Sequence, residues 1–168
     1  YAYIEKELEN DRIFTEDFIK DIHERTTLDC QPRIRGSYRI APVYIQGSLT
    51  EPVSPIQIRE LMPTLLYAYE NSDAHPIAKA AAFHAMFENI HPFQDGNGRV
   101  GRMIILKQCL DHNIVPVIIR DIHKAEYNRY LNKAQHEQDY KGLEAYFEKE
   151  QKYYQESTIP MIFDFDEL

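Results

Sequence analysis

Residues 91–102, HPFQDGNGRVGR, place one imidazole, one carboxylate, two amides, three glycines and two guanidinium groups within twelve positions. Helix-forming sequence on either side predicts a turn between two helices, the first ending near Ile90 and the second starting near Asn97 or Gly98. A helix N-terminus presents N–H groups without acceptors and a partial positive charge. Gly96 and Gly98 let that backbone curl and approach a ligand closely, which makes an anion nest suited to phosphate. Arg99 and Arg102 are three apart on the following helix, so they share a face and can reach one anion. Asp95 is a hard oxygen ligand just before the nest. Beside phosphates a lone carboxylate suits Mg²⁺, which needs few protein ligands when phosphates supply the rest. His91 has the chemistry of a general base near neutral pH. Phe93, between the polar positions, is expected to point inward and anchor the loop. DGNG by itself could be an ordinary turn, but a nest with a histidine before it and two arginines after it is hard to explain by folding.

The elements that must position these residues are helical. Thr15 is expected to cap a helix through EDFIKDIHERT, with Phe18, Ile19 and Ile22 on one stripe. The Gly-, Pro- and Arg-containing run PRIRGSYRIAPVYIQGSLTEPVSP reads as a loop holding a short hairpin over Arg39 to Gln46. Ser54-Pro55 starts the next helix, IQIRELMPTLLYAYENS, with a kink expected at Pro63. His75-Pro76 opens IAKAAAFHAMFENI, whose alanines allow close packing and a central place. RMIILKQCLDHN is apolar enough for a buried helix, and HKAEYNRYLNKAQ and YKGLEAYFEKEQKYYQ read as two amphipathic ones. The fold expected from the residues is a helical bundle with one small hairpin and no internal domain boundary.

Composition narrows the function. The chain has 168 residues, enough for one domain with a real core, and a 43% apolar fraction. A net charge of −8 argues against a general nucleic-acid-binding surface. No apolar run approaches the roughly 20 residues of a membrane span. Cys30 and Cys109 form no CxxC pair and read as reduced thiols, and there is no signal-peptide pattern, so a cytoplasmic protein is expected. The chain begins at Tyr1 and reads as a fragment.

HPFQDGNGRVGR resembles the signature of Fic-domain proteins, HxFx(D/E)GNGRxxR, with every defining position filled. GSYRIAPVYIQG resembles the family's flap and AEYNRYLNKAQ its later nucleotide-side helix. The likeness extends over roughly residues 15–150, although only the twelve-residue motif is sharp. It implies an all-α, Fic-type helical bundle with a small β-hairpin flap, forming a single domain over 1–168. Residues 1–14 would be a remnant of an N-terminal regulatory helix and 151–168 a C-terminal extension. It also implies adenylylation, the transfer of AMP from ATP to a Ser, Thr or Tyr hydroxyl of a target protein or of the chain itself, with release of pyrophosphate.

By that resemblance His91 deprotonates the hydroxyl and Asp95 holds Mg²⁺. The nucleotide and phosphate site is Asp95, Gly96, Asn97, Gly98, Arg99, Val100, Gly101 and Arg102. Arg99 neutralises the leaving pyrophosphate, Arg102 reaches the γ-phosphate and Tyr127 flanks the adenine. The flap segment Tyr44, Ile45, Gln46 and Gly47 pairs with the target as an added strand.

Many relatives are restrained by a glutamate in a (S/T)xxxE(G/N) helix that pairs with the last signature arginine, here Arg102. YAYIEK offers Glu5 as a degraded match, leaving open a motif elsewhere or on a separate antitoxin chain. A homodimer is a further expected partner, nucleic acid and membrane are not, and AMP removal by the same site stays open. Two other readings compete. His84, Glu88 and His91, spaced i, i+4, i+7, could bind Fe²⁺ or Zn²⁺. A Fic-like module could also bind nucleotide or a partner without catalysis. Arg33, Arg35 and Arg39 are expected to be solvated beside the hairpin.

Overall fold

The computed structural model describes residues 14–45 and 51–158. Its described elements are helical: α1 (Glu16–Thr26), α2 (Pro55–Glu70), α3 (Pro76–Ile90), α4 (Asn97–Asp111), α5 (Lys124–Glu137) and α6 (Lys141–Tyr153), with short 3₁₀ turns at Pro32–Ile34 and Asp121–His123. None of the described helices is long and apolar enough to cross a membrane.

The caps follow local chemistry. Thr15 Oγ1 accepts from Phe18 N at 3.3 Å, closing the first turn of α1, and Glu16 and Asp17 stand where the helix dipole favours acids. Ser54 and Gln57 form a capping box at α2, with Ser54 N donating to Gln57 Oε1 at 3.0 Å. Proline occupies the first helical position of both α2 and α3, where its missing N–H leaves no bond unmade. α2 continues through Pro63.

α3 is the central element, packed against α2, α4, α5 and α6. Phe83, Phe87 and Ile90 join Phe18, Ile22, Ile58, Met62 and Phe93 in one core. Its Ile77, Ala80, Ala81 and Ala85 join Ile105, Leu143, Tyr146 and Phe147 in a second. A helix apolar on both sides has to be enclosed, and small alanines let its neighbours come close. Each of these large side chains, taken fully from water, contributes about 1.5–3 kcal/mol before entropic costs.

Two expectations need correction. From Ile40 to Ile45 the chain has no strand partner among the described residues, so the expected hairpin is not formed there. Pro42 has no N–H to give to a ladder, and the Ala41 carbonyl is taken by Arg39 Nη1 at 3.2 Å. Gln46 and Gly47 lie outside the described residues, as does Glu5. Second, Arg39 is not solvated: it is only 4% exposed.

Candidate active site

The loop between α3 and α4 is held from inside. His91 ends α3 in the left-handed region, φ 50° and ψ 61°, with its N–H still bonded to Phe87 O at 2.8 Å. Phe93 is fully buried, as expected of an anchor, and its ring stacks on His23 at 3.9 Å with 2° between planes. Asn97 faces inward: its Nδ2 donates to Phe93 O and its Oδ1 accepts from Phe93 N, both at 2.8 Å. Its amide is therefore spent on the loop. Gly96, at φ 80°, caps α4 in a conformation that suits glycine. Val100 N bonds Gly96 O at 3.0 Å, so the N–H groups of Asn97, Gly98 and Arg99 precede the first helical bond and have no acceptor within the helix.

His23 was missed in the sequence. Gly36 N donates to its Nδ1 at 2.8 Å, so the proton sits on Nε2, which donates to Asp95 O at 3.0 Å. Burial lowers its pKa, consistent with this neutral tautomer. One imidazole thus ties α1, the start of the flap segment and the nest together. Only the stripe of α1 could have pointed to it, since its bonded partner Asp95 is 72 residues away.

Arg39 supplies the other brace. Its Nε donates to His91 O at 2.7 Å and its Nη2 to Val53 O at 2.5 Å and Ile90 O at 3.3 Å, while its own N–H donates to Pro92 O at 2.9 Å. The guanidinium collects carbonyls at the C-terminus of α3, where a cation is favoured. The exposed segment holding Ile40 and Tyr44 begins directly after it.

The outward groups are those the motif singles out. Asp95 is 65% exposed at its side chain, and its Oδ1 accepts from Gly96 N at 2.5 Å. Arg99 Nη1 reaches Asp29 Oδ1 at 2.6 Å and Thr26 O at 3.1 Å. Arg102 is exposed and leans back toward the N-terminus of α4. Its Nη1 lies 3.4 Å from the point a Cβ on Gly98 would occupy. Val100 and Gly101 face inward, so their share in a phosphate site is limited to backbone. Tyr127 is half-buried and its hydroxyl pairs with His84 Nε2 at 2.7 Å.

His91 has a side chain 17% exposed, and its Nδ1 lies 3.3 Å from Glu88 O. A carbonyl only accepts, so Nδ1 carries the proton and Nε2 is left with a lone pair. Burial pushes the His91 pKa down to about 4, with the Arg39 charge adding to the effect and the Glu88 carbonyl and Asp95 opposing it. The ring is a neutral base at physiological pH. The metal reading fails, because no group of three His, Cys, Asp or Glu side chains among the described residues could hold an ion. His84 Nε2 is committed to Tyr127 instead.

Gly101 makes the α3–α4 contact possible. An added Cβ would lie 2.6 Å from Glu88 Oε1 and 2.9 Å from His84 Cε1. Alanine in place of glycine inside a helix ordinarily gains about 1 kcal/mol. Here Gly101→Ala will lower the melting temperature, because the buried Glu88 and His84 must move; a thermal melt checks it.

Acid will also weaken the fold. His84 is held at about 3 and His91 at about 4 by burial, and His23 is lowered too. In the unfolded chain all three protonate near 6.5. Below that pH the unfolded state binds more protons, so stability falls as pH drops. Glu88, raised by burial to about 7, acts in the opposite sense, but it is one group against three. The urea midpoint should therefore decline as pH falls from about 6.5 toward 4.5.

The sequence pattern of the Fic/DOC family matches residues 13–109. The chain belongs to the Fic/DOC family. It is 34% identical over 125 residues to a protein adenylyltransferase Fic of Nematostella vectensis, covering 73% of this chain and 29% of that protein. A protein adenylyltransferase Fic of Culex quinquefasciatus is 34% identical over 128 residues, covering 74% of the chain and 25% of that protein. The chain thus spans less than a third of the length of these Fic relatives. Among solved structures, Fic-1 of C. elegans superposes with a TM-score of 0.81 at 25% identity, over 96% of this chain and 48% of that one. A Fic-domain protein of Bacteroides thetaiotaomicron superposes with a TM-score of 0.71 at 22% identity, over 89% and 63%.

Proposed function

We propose that this Fic domain transfers AMP from ATP to a protein hydroxyl. The observation that carries the reading is the His91 imidazole, its Nδ1 3.3 Å from Glu88 O, five residues before the Gly96 cap of a helix N-terminus bearing Arg99 and Arg102. The relatives named as protein adenylyltransferases support it.

In this reading the target's O–H bond breaks and its proton passes to His91 Nε2. The oxygen bonds to the α-phosphorus as the bridging P–O bond breaks, and pyrophosphate leaves. Such a displacement is catalysed mostly by positioning and charge stabilisation. The N–H groups of Asn97, Gly98 and Arg99 hold phosphate oxygens, Arg102 lies across the nest toward the outer phosphates, and Arg99 meets the leaving charge. Asp95, a single exposed carboxylate, fits Mg²⁺, whose other ligands would be phosphates and water. That ion would supply charge neutralisation on the phosphates. Exposed Tyr44 begins the segment that would dock the target backbone, continuing into Ile45, Gln46 and Gly47.

The deciding experiment is incubation with α-labelled or γ-labelled ATP and Mg²⁺, read by gel and intact mass. Label from the α-position alone, with a mass gain of one AMP, supports the proposal. Label from the γ-position would make the protein a kinase and overturn it.

A further inference from the structure

Glu88 is a buried carboxylate that the reaction as written does not use. It is 8% exposed, and its Oε1 has no hydrogen-bond partner. Leaving a buried carboxylate oxygen unpaired is costly, and folding alone gives no return for it. The other oxygen, Oε2, lies 3.8 Å from His91 Nδ1, the nitrogen already tied to the Glu88 carbonyl. One residue therefore faces the back of the base with both its backbone and its side chain.

We propose that Glu88 is a positioning residue for His91: its carbonyl fixes the tautomer that exposes Nε2, and its carboxylate stabilises the imidazolium formed when Nε2 takes the target's proton. The proton taken by Nε2 later leaves to solvent, and Glu88 contributes its negative charge beside the ring. The other groups facing this carboxylate are His84 on α3, Arg102 on α4 and Tyr127 on α5. Burial, the largest influence on Glu88, raises its pKa to about 7, and Arg102 opposes this. The ionised form is thus reached near neutrality, while His91, at about 4, is already a base. The inference rests on the adenylylation reading for its kinetic arm only.

The test compares wild type, Glu88→Gln, His91→Ala and the double variant in self-modification with α-labelled ATP, alongside acylation of His91 by diethylpyrocarbonate read by peptide mass. Expected results are a roughly tenfold lower kcat in Glu88→Gln at pH 8, an unchanged KM for ATP, no further loss in the His91→Ala background, and several-fold slower acylation of His91. Wild-type kcat should also rise through about pH 7, a limb absent from Glu88→Gln, which keeps the idea testable should that variant be unstable. Unchanged kcat and unchanged acylation would overturn the proposal, as would an equal loss without His91. If wild type transfers no AMP yet acylation still slows, the His91–Glu88 couple stands and the adenylylation reading is what fails.

Discussion

On the proposed adenylylation reading, His91→Ala will lower AMP transfer by about 10²–10⁴-fold, the usual worth of a positioned general base, and will leave ATP binding nearly unchanged. The separation follows from where His91 sits. It closes α3, four residues before Asp95, and the groups assigned to phosphate begin after it. The fold should survive the change. The left-handed conformation at φ 50° and ψ 61° is open to a single non-glycine residue at modest cost, and the bond from residue 91 N–H to Phe87 O involves backbone only. The lost Nδ1 contact to Glu88 O is a single neutral bond at 3.3 Å. Quenched-flow transfer rates beside ATP titration calorimetry test both halves. A variant with wild-type transfer would remove His91 from the chemistry.

Arg39→Ala will destabilise the domain by about 3 kcal/mol and depress transfer as well. Four carbonyls, those of Ala41, Val53, Ile90 and His91, lose a charged donor together, and the last two lie at the buried end of α3. Replacing a fork of donors with a point charge does not restore this geometry, so Arg39→Lys should recover only part of the loss. The transfer defect should exceed what the unfolded fraction explains, because the His91 carbonyl is one of the released groups. Urea denaturation gives the first quantity; specific activity corrected for folded fraction gives the second. Stability within about 0.5 kcal/mol of wild type would show that water replaces the guanidinium without cost.

The sequence revealed what is local. Thr15, the Ser54–Gln57 box and the proline starts of α2 and α3 act within one turn, and each marks its helix. The alanine-rich α3 could be placed at the centre because its composition forces close packing. What stayed hidden depends on long closure. Arg39 looked like part of a solvated basic cluster, since its carbonyl partners at Ile90 and His91 are 51 and 52 residues away. Asn97, within the motif, looked like a ligand group, and only its two bonds to Phe93 show the amide turned inward. The hairpin expected over Arg39 to Gln46 came from local composition, which cannot say whether a partner strand exists.

Arg99 is already occupied by an anion, the Asp29 carboxylate at 2.6 Å, and that carboxylate is 68% exposed. A phosphate arriving at this guanidinium therefore exchanges one negative partner for another. Added salt acts on both sides of the exchange, screening the incoming phosphate and loosening the exposed internal pair. The two effects oppose each other, so nucleotide affinity should depend on ionic strength less steeply than the number of cationic groups at the nest implies.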